Sequence, residues 1–88
     1  MLISSLENMV IIVKFLGIFQ EQASLREKKM TVPDGTRVSD AYKIALRFLP
    51  NQHRLPKVLF AVNQEFAGSS AVLHDGDELA LIPPMSGG

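Results

Sequence analysis

The last residues of this chain have a composition suited to presenting a carboxylate. Gly87 and Gly88 follow Pro83-Pro84-Met85-Ser86, which in turn follow an apolar run at Leu79–Ile82. Glycine has no Cβ, so its backbone can approach another protein closely, and the prolines favour an extended exit. From Pro84 onwards, five residues could reach about 17 Å beyond the fold. Such a tail could enter a narrow tunnel and present the Gly88 carboxylate to the active site of another protein.

The other chemically capable side chains do not form a known catalytic pattern. His53 and His74 are the only histidines, and neither is spaced with a second donor as metal ligands are. Asp75-Gly76-Asp77 is interpreted as a tight turn, because it lacks the further oxygen ligands of a calcium loop. Ser69-Ser70 has no accompanying base that would make either hydroxyl a nucleophile. We therefore expect no metal site and no autonomous active site.

The composition indicates one folded domain without charge bias. Of the 88 residues, 47% are hydrophobic, and nine Lys plus Arg balance nine Asp plus Glu. A neutral chain without a basic cluster is a poor ligand for nucleic acid or anionic lipid. Cysteine is absent, so disulfides and thiolate sites are impossible. The longest apolar run is too short to cross a membrane. We expect a cytoplasmic protein that binds neither nucleic acid nor membrane.

Hydrophobic periodicity predicts five strands and one helix. The strands are Val10–Leu16, Lys28–Val32, Val58–Val62, a short edge strand Glu65–Ala67, and Glu78–Ile82; the helix is Val38–Leu49, ended by Pro50. Gln20–Glu27 is polar and is interpreted as a connection. One helix can cover only one face of a sheet, so we expect an α+β, ubiquitin-like β-grasp roll with a mixed sheet of four or five strands. By analogy with that fold, the first and last strands are expected to be parallel neighbours.

The face of the sheet away from the helix is predicted to be apolar. Strand alternation directs Ile11, Val13 and Phe15 to the core. It directs four large apolar side chains, Ile12, Leu16, Phe66 and Ile82, to the opposite face. A sheet face without a helix is normally polar, so these residues suggest a partner-binding patch. The alternatives are that loops cover them or that the strand parity is misjudged by one residue.

Two segments carry a family resemblance. Phe60–Gln64 and the closing run Asp75–Gly88 resemble the MoaD branch of the MoaD/ThiS ubiquitin-like sulfur carriers, the small subunits of molybdopterin synthase. The resemblance extends over 10–88. Met1–Asn8 lies outside it, which predicts an N-terminal extension at 1–8, a β-grasp domain at 9–83 and a flexible tail at 84–88. The position of Leu16 is often aromatic in the family.

The resemblance implies a chemical role for the tail. Gly88 would be adenylated by an ATP-using enzyme of the ubiquitin-activating type and converted to a thiocarboxylate by a sulfur donor protein, while Gly87 threads the tail. The thiocarboxylate would then donate sulfur to a cyclic pyranopterin precursor in the large subunit of a heterotetramer, forming the molybdopterin dithiolene. Leu16, Phe66 and Ile82 would contact the partners. The chain would bind no cofactor itself.

Three alternatives remain open on the sequence. The chain could be a ubiquitin-like modifier joined to lysines through Gly88, or a sulfur carrier for another pathway such as thiamine thiazole synthesis. It could also be an interaction domain whose terminal glycines have no role. An autonomous enzyme is the least favoured class, because no acid–base or nucleophilic group is suitably placed.

Overall fold

The computed structural model describes residues 7–49 and 58–84, which form a five-stranded sheet with helices packed on one side. The strands are Asn8–Phe15 (β1), Glu27–Pro33 (β2), Leu59–Val62 (β3), Glu65–Ala67 (β4) and Glu78–Ile82 (β5). The helices are Ile18–Ala23 (α1) and Val38–Ala45 (α2), and a 3₁₀ turn at Leu46–Phe48 follows α2. Within these described ranges, no helix is long and apolar enough to cross a membrane.

The sheet is mixed, in the order β2-β1-β5-β3-β4. β1 and β5 are parallel neighbours, and all other pairs are antiparallel. The predicted fold class and the predicted pairing of the first and last strands are therefore confirmed. β4 lies at one edge, as predicted, and β2 lies at the other. Because β5 is the central strand, the chain leaves the sheet from its middle.

Strand alternation places the core on one face. Ile11, Val13 and Phe15 of β1 are 0%, 0% and 1% exposed, and β5 contributes Leu79 and Leu81, both 0% exposed. Successive side chains on a strand point to opposite faces, so one parity buries all of these residues together. Val38, Ala41 and Ala45 of α2 belong to the same buried cluster. The core thus lies between the sheet and α2, and no helix formed by residues 7–49 or 58–84 covers the other sheet face.

The predicted helix Val38–Leu49 is shorter than expected. α2 ends at Ala45, the 3₁₀ turn continues to Phe48, and the Leu49 N–H donates to the Leu46 carbonyl at 3.0 Å. Leu49 is extended, with φ −102° and ψ 114°. A residue before proline is driven out of the helical region by the ring. Pro50, the predicted helix terminator, lies outside the described residues, and its effect on the preceding residue accounts for the extended backbone of Leu49.

The interpretation of Gln20–Glu27 as a plain connection is wrong in its first half. Ile18–Ala23 forms α1, and β2 then begins at Glu27, one residue earlier than predicted. The helix is held by one side chain, Phe19, which is 1% exposed and part of the core. A six-residue helix with one buried residue has no detectable 3.6-residue repeat, so its polar composition concealed it.

The predicted turn at Asp75-Gly76-Asp77 is present and fixes the start of β5 to β1. The Val10 N–H donates to Asp75 Oδ1 at 2.8 Å, and the Gly76 N–H donates to the Val10 carbonyl at 2.7 Å. Asp77 accepts bonds from the His74 N–H and from Asn63 Nδ2 at 2.8 and 2.9 Å. These bonds set the parallel register that brings side chains of β1 and β5 together on the open face.

Candidate functional interface

The sheet face away from α2 contains a shallow hollow of about 360 Å³ close to the point where the chain leaves β5. Its lining combines apolar side chains of β3, β4 and β5 with Leu16, which follows β1. The residues are Lys14, Leu16, Ala61, Gln64, Phe66, Glu78, Ala80 and Ile82. Four of the five strands, β1, β3, β4 and β5, contribute residues to this lining. We call this surface the open-face hollow.

Phe66 is the most exposed large apolar side chain among the described residues. It lies on the edge strand β4 and is 77% exposed, whereas Leu16 is 40% exposed. When a partner covers an exposed phenyl ring that lies beside other apolar groups, the burial of apolar surface stabilises the complex. At the floor of the hollow, Ala61 is buried, with only 8% of its surface exposed. The surface therefore offers a small floor and a projecting aromatic rim.

The predicted side of the sheet is confirmed for Leu16, Phe66 and Ile82, which lie on the face away from α2. Leu16, Phe66 and Ile82 line the same hollow, although they come from three separate parts of the sequence. Ile12 has the same strand parity but is half-buried and does not line the hollow. The role of Leu16, Phe66 and Ile82 as partner contacts remains a prediction. Gly87 and Gly88, the predicted reactive tail, lie outside the described residues.

Sequence reasoning did not place Leu59 on this face. Leu59 is directly opposite Ile82 in the antiparallel register of β3 and β5, and it is 45% exposed. Residues opposite each other in such a pair share a face. The predicted strand Val58–Val62 already contained Leu59, but only the register against β5 shows that its side chain extends the apolar surface.

An ion pair lies within the hollow. Lys14 Nζ is 3.2 Å from Glu78 Oε1, and the two side chains are 38% and 37% exposed. In the free protein such a pair contributes only about 0–1 kcal/mol, because water screens it. A partner that covered the hollow would remove that water, so the pair becomes more important once the surface is buried.

The chain leaves the sheet beside the connection between β1 and α1. The Leu16 N–H donates to the Leu81 carbonyl at 3.3 Å, which holds the two segments together just before the exit. Pro83 then lies against Gly17, so closely that a Cβ on Gly17 would be 3.0 Å from Pro83 Cγ. The exit therefore adjoins the open-face hollow, because Leu16 and Ile82 line the hollow and directly precede Gly17 and Pro83.

Several other polar groups of the described residues take part in local hydrogen bonds and packing. His74 is exposed, and its Nδ1 is 3.8 Å from Asp77 Oδ2. His53 lies outside the described residues. The Ser69 and Ser70 carbonyls accept bonds from the start of α2 and from Arg37. Burial raises the pKa of the Tyr42 phenol, which packs edge-to-face on Phe60 at 5.4 Å. In residues 7–49 and 58–84, no three His, Cys, Asp or Glu side chains are grouped as metal ligands.

The mixed sheet order, the helix α2 across one face and the chain exit from the central strand define a ubiquitin-like β-grasp protein. The family model described as the ThiS family matches residues 13–88, and the chain belongs to that family. The match includes β5, the proline pair and the final glycines.

Known relatives agree with this assignment. The molybdopterin synthase sulfur carrier subunit of Chlamydomonas reinhardtii is 34% identical over 83 residues, covering 91% of this chain and all of that protein. The subunit of the same name from Caenorhabditis elegans is 35% identical over 79 residues, covering 86% of this chain and 94% of the relative. Among solved structures, SAMP1 of Haloferax volcanii has a TM-score of 0.76 and 26% identity, covering 90% of this chain and 99% of SAMP1.

Proposed function

We propose that this chain is the sulfur carrier and sulfur-donor subunit of a molybdopterin synthase. The observation that carries the proposal is the position of the open-face hollow directly beside the exit of the chain at Pro83. A partner that bound Leu16, Phe66 and Ile82 would at the same time be placed to receive the residues that follow. The relatives named as molybdopterin synthase sulfur carrier subunits support the same role.

The proposed chemistry uses the Gly88 carboxylate. A carboxylate is a poor electrophile, so an ATP-dependent enzyme of the ubiquitin-activating type first joins it to AMP and releases pyrophosphate. Sulfur that a donor protein supplies as hydrosulfide then attacks the carbonyl carbon. The new carbon–sulfur bond replaces the carbon–oxygen bond to AMP, AMP leaves, and Gly88 ends in a thiocarboxylate. In the large subunit, the thiocarboxylate sulfur bonds to a carbon of a cyclic pyranopterin precursor and displaces an oxygen substituent. Water then hydrolyses the thioester to Gly88, which leaves the sulfur on the precursor and restores the carboxylate; two such deliveries form the dithiolene.

The division of labour follows from what the chain contains. The described residues present no acid–base group or nucleophile beside the hollow apart from the paired Lys14 and Glu78. In the proposed assembly the active site belongs to the partner, and this chain supplies a binding surface and a reactive end. We propose that both the adenylating enzyme and the large subunit use the open-face hollow, in turn, in the cytoplasm, within a final assembly of two small and two large subunits.

Reconstitution tests this function. The chain is incubated with the adenylating enzyme, ATP, a sulfur donor, the large subunit and the pyranopterin precursor, and molybdopterin is measured as its fluorescent oxidation product. We expect product from the native chain and none from a chain that lacks Gly88 or carries one extra residue after it. These variants leave residues 7–84 unchanged, so their folding serves as the control. Product from the extended chain would overturn the proposed mechanism.

A second function is favoured by one comparison. SAMP1, a small archaeal modifier protein, shares the fold at 26% identity. As a modifier, this chain would undergo the same activation, but Gly88 would then be joined to a lysine of another protein by an isopeptide bond. Adducts of higher mass that survive reducing denaturation and contain a Gly88–lysine linkage would support this function. Product in a thiazole synthesis assay would instead indicate a sulfur carrier for thiamine.

A further inference from the structure

Gly17 occupies a backbone conformation that joins the open face to α1. It has φ 55° and ψ −130°, a combination that is nearly restricted to glycine. Its carbonyl accepts the Gln20 and Glu21 N–H groups at 3.0 and 3.4 Å and so begins α1. Gly17 is therefore held in place from the helix side, independently of anything that follows β5.

The other side of Gly17 touches the departing chain. A Cβ at this position would lie 3.0 Å from Pro83 Cγ and 3.7 Å from Pro83 Cδ. The pyrrolidine ring is closed on its own backbone and cannot rotate away as a flexible side chain would. The Leu16 N–H also binds the Leu81 carbonyl, so the two segments are tied together just before this contact. Adding one carbon to Gly17 would therefore move the backbone at Pro83.

We propose that Gly17 is a positioning residue, which sets the direction in which the chain leaves β5 by giving the Pro83 ring a surface without a side chain. The inference rests on the proposed function for its consequence, namely that this direction determines whether the carboxyl end reaches the active site of the adenylating enzyme. A small displacement at Pro83 is passed along the chain, since each proline fixes its φ. Misplacement of a reacting group by about 1 Å can lower a rate by about 100-fold.

The chain supplies a matched control for the strain of a side chain at positive φ. Gly35 has φ 83°, and a Cβ there would meet nothing within 4 Å. Gly35→Ala and Gly17→Ala thus both place alanine in an unfavourable backbone region, but only Gly17→Ala creates a contact with Pro83. Pro83→Ala removes Cγ and Cδ, the two atoms that the new Cβ would meet, and leaves Gly17 unchanged.

The experiment is a double-mutant cycle measured by adenylation of the chain. Wild type, Gly17→Ala, Pro83→Ala and the double variant are compared by pyrophosphate release, with Gly35→Ala as control and thermal unfolding measured for each. We expect Gly17→Ala to lower kcat by about 10-fold or more while KM changes by less than about threefold, since the hollow is intact. In the Pro83→Ala background, the same substitution is expected to change kcat by no more than Gly35→Ala does.

Three results would overturn the inference. Equal losses in kcat for Gly17→Ala and Gly35→Ala would assign the effect to backbone strain alone. A loss in kcat for Gly17→Ala that persists unchanged in the Pro83→Ala background would show that the ring contact has no part in it. Unchanged kcat in Gly17→Ala would also contradict the inference.

A structural measurement separates this inference from the proposed function. The chain has no cysteine, so Ser86→Cys allows a single nitroxide to be attached, and paramagnetic broadening of backbone amide signals reports where the tail lies. We expect Gly17→Ala to change the broadening pattern and Gly35→Ala to leave it as in the wild type. If Gly17→Ala unfolds the chain, the same broadening measurement is made on Pro83→Ala alone, which removes the ring atoms that face Gly17. An unchanged pattern would refute the positioning role, whereas failure of wild-type adenylation with a changed pattern would refute only the proposed function.

Discussion

Replacing Phe66 with alanine should weaken partner binding without loosening the fold. The ring is 77% exposed in the free chain and lies on the edge strand β4. Its removal creates little cavity, so the free energy of unfolding should change by less than about 0.5 kcal/mol. Complete burial of a phenylalanine is worth about 1.5–3 kcal/mol, and a partner that covers the ring gains roughly three-quarters of this, about 1–2 kcal/mol. The dissociation constant should rise about 5- to 30-fold.

Titration calorimetry with the molybdopterin synthase large subunit measures this change, and urea unfolding checks the stability. Val10→Ala is the matched control, because Val10 is also exposed and apolar, at 42%, but lies at the far end of β1 and does not line the hollow. Phe66→Asp should have a larger effect than Phe66→Ala, since a carboxylate would be buried without a partner. An unchanged dissociation constant in Phe66→Ala would refute the assignment of the hollow as the docking surface.

Three further predictions follow from the same surface and from the core. Lys14→Met should change the free energy of unfolding by less than about 1 kcal/mol. It should still weaken large-subunit binding by about 2 kcal/mol or more, because Glu78 is then covered without its partner; equal binding by calorimetry would show that the pair stays in water. Leu59→Asp should raise the dissociation constant of the complex with the large subunit, whereas Val10→Ala should leave it unchanged. Phe19→Ala should lower the free energy of unfolding by about 3–5 kcal/mol in urea, and a smaller loss would show that α1 is held by other contacts.

The site could be predicted where strand alternation alone decides which side a residue faces. β1 and β5 alternate clearly, so the core parity and the open-face positions of Leu16 and Ile82 followed from the residues. Phe66 followed in the same way from the predicted short edge strand Glu65–Ala67. These residues are far apart in sequence and meet because β1 pairs with β5, β5 with β3, and β3 with β4.

The remaining features depend on register and on backbone conformation. Leu59 joins the open face through its alignment with Ile82, and Lys14 reaches Glu78 across two parallel strands whose stagger is set by the Asp75–Asp77 turn. No local pattern encodes such a stagger. A glycine in a sequence does not reveal whether it has positive φ or faces another residue, so the contact between Gly17 and Pro83 was not foreseen either.

The most direct test of the central claim is top-down mass spectrometry of the intact chain isolated from its own cells. The sulfur-carrier account predicts a fraction of molecules in which sulfur replaces one oxygen of the Gly88 carboxylate, and this fraction should disappear when the adenylating enzyme is deleted. A bare carboxylate in every molecule, with the adenylating enzyme present and active, would contradict the account.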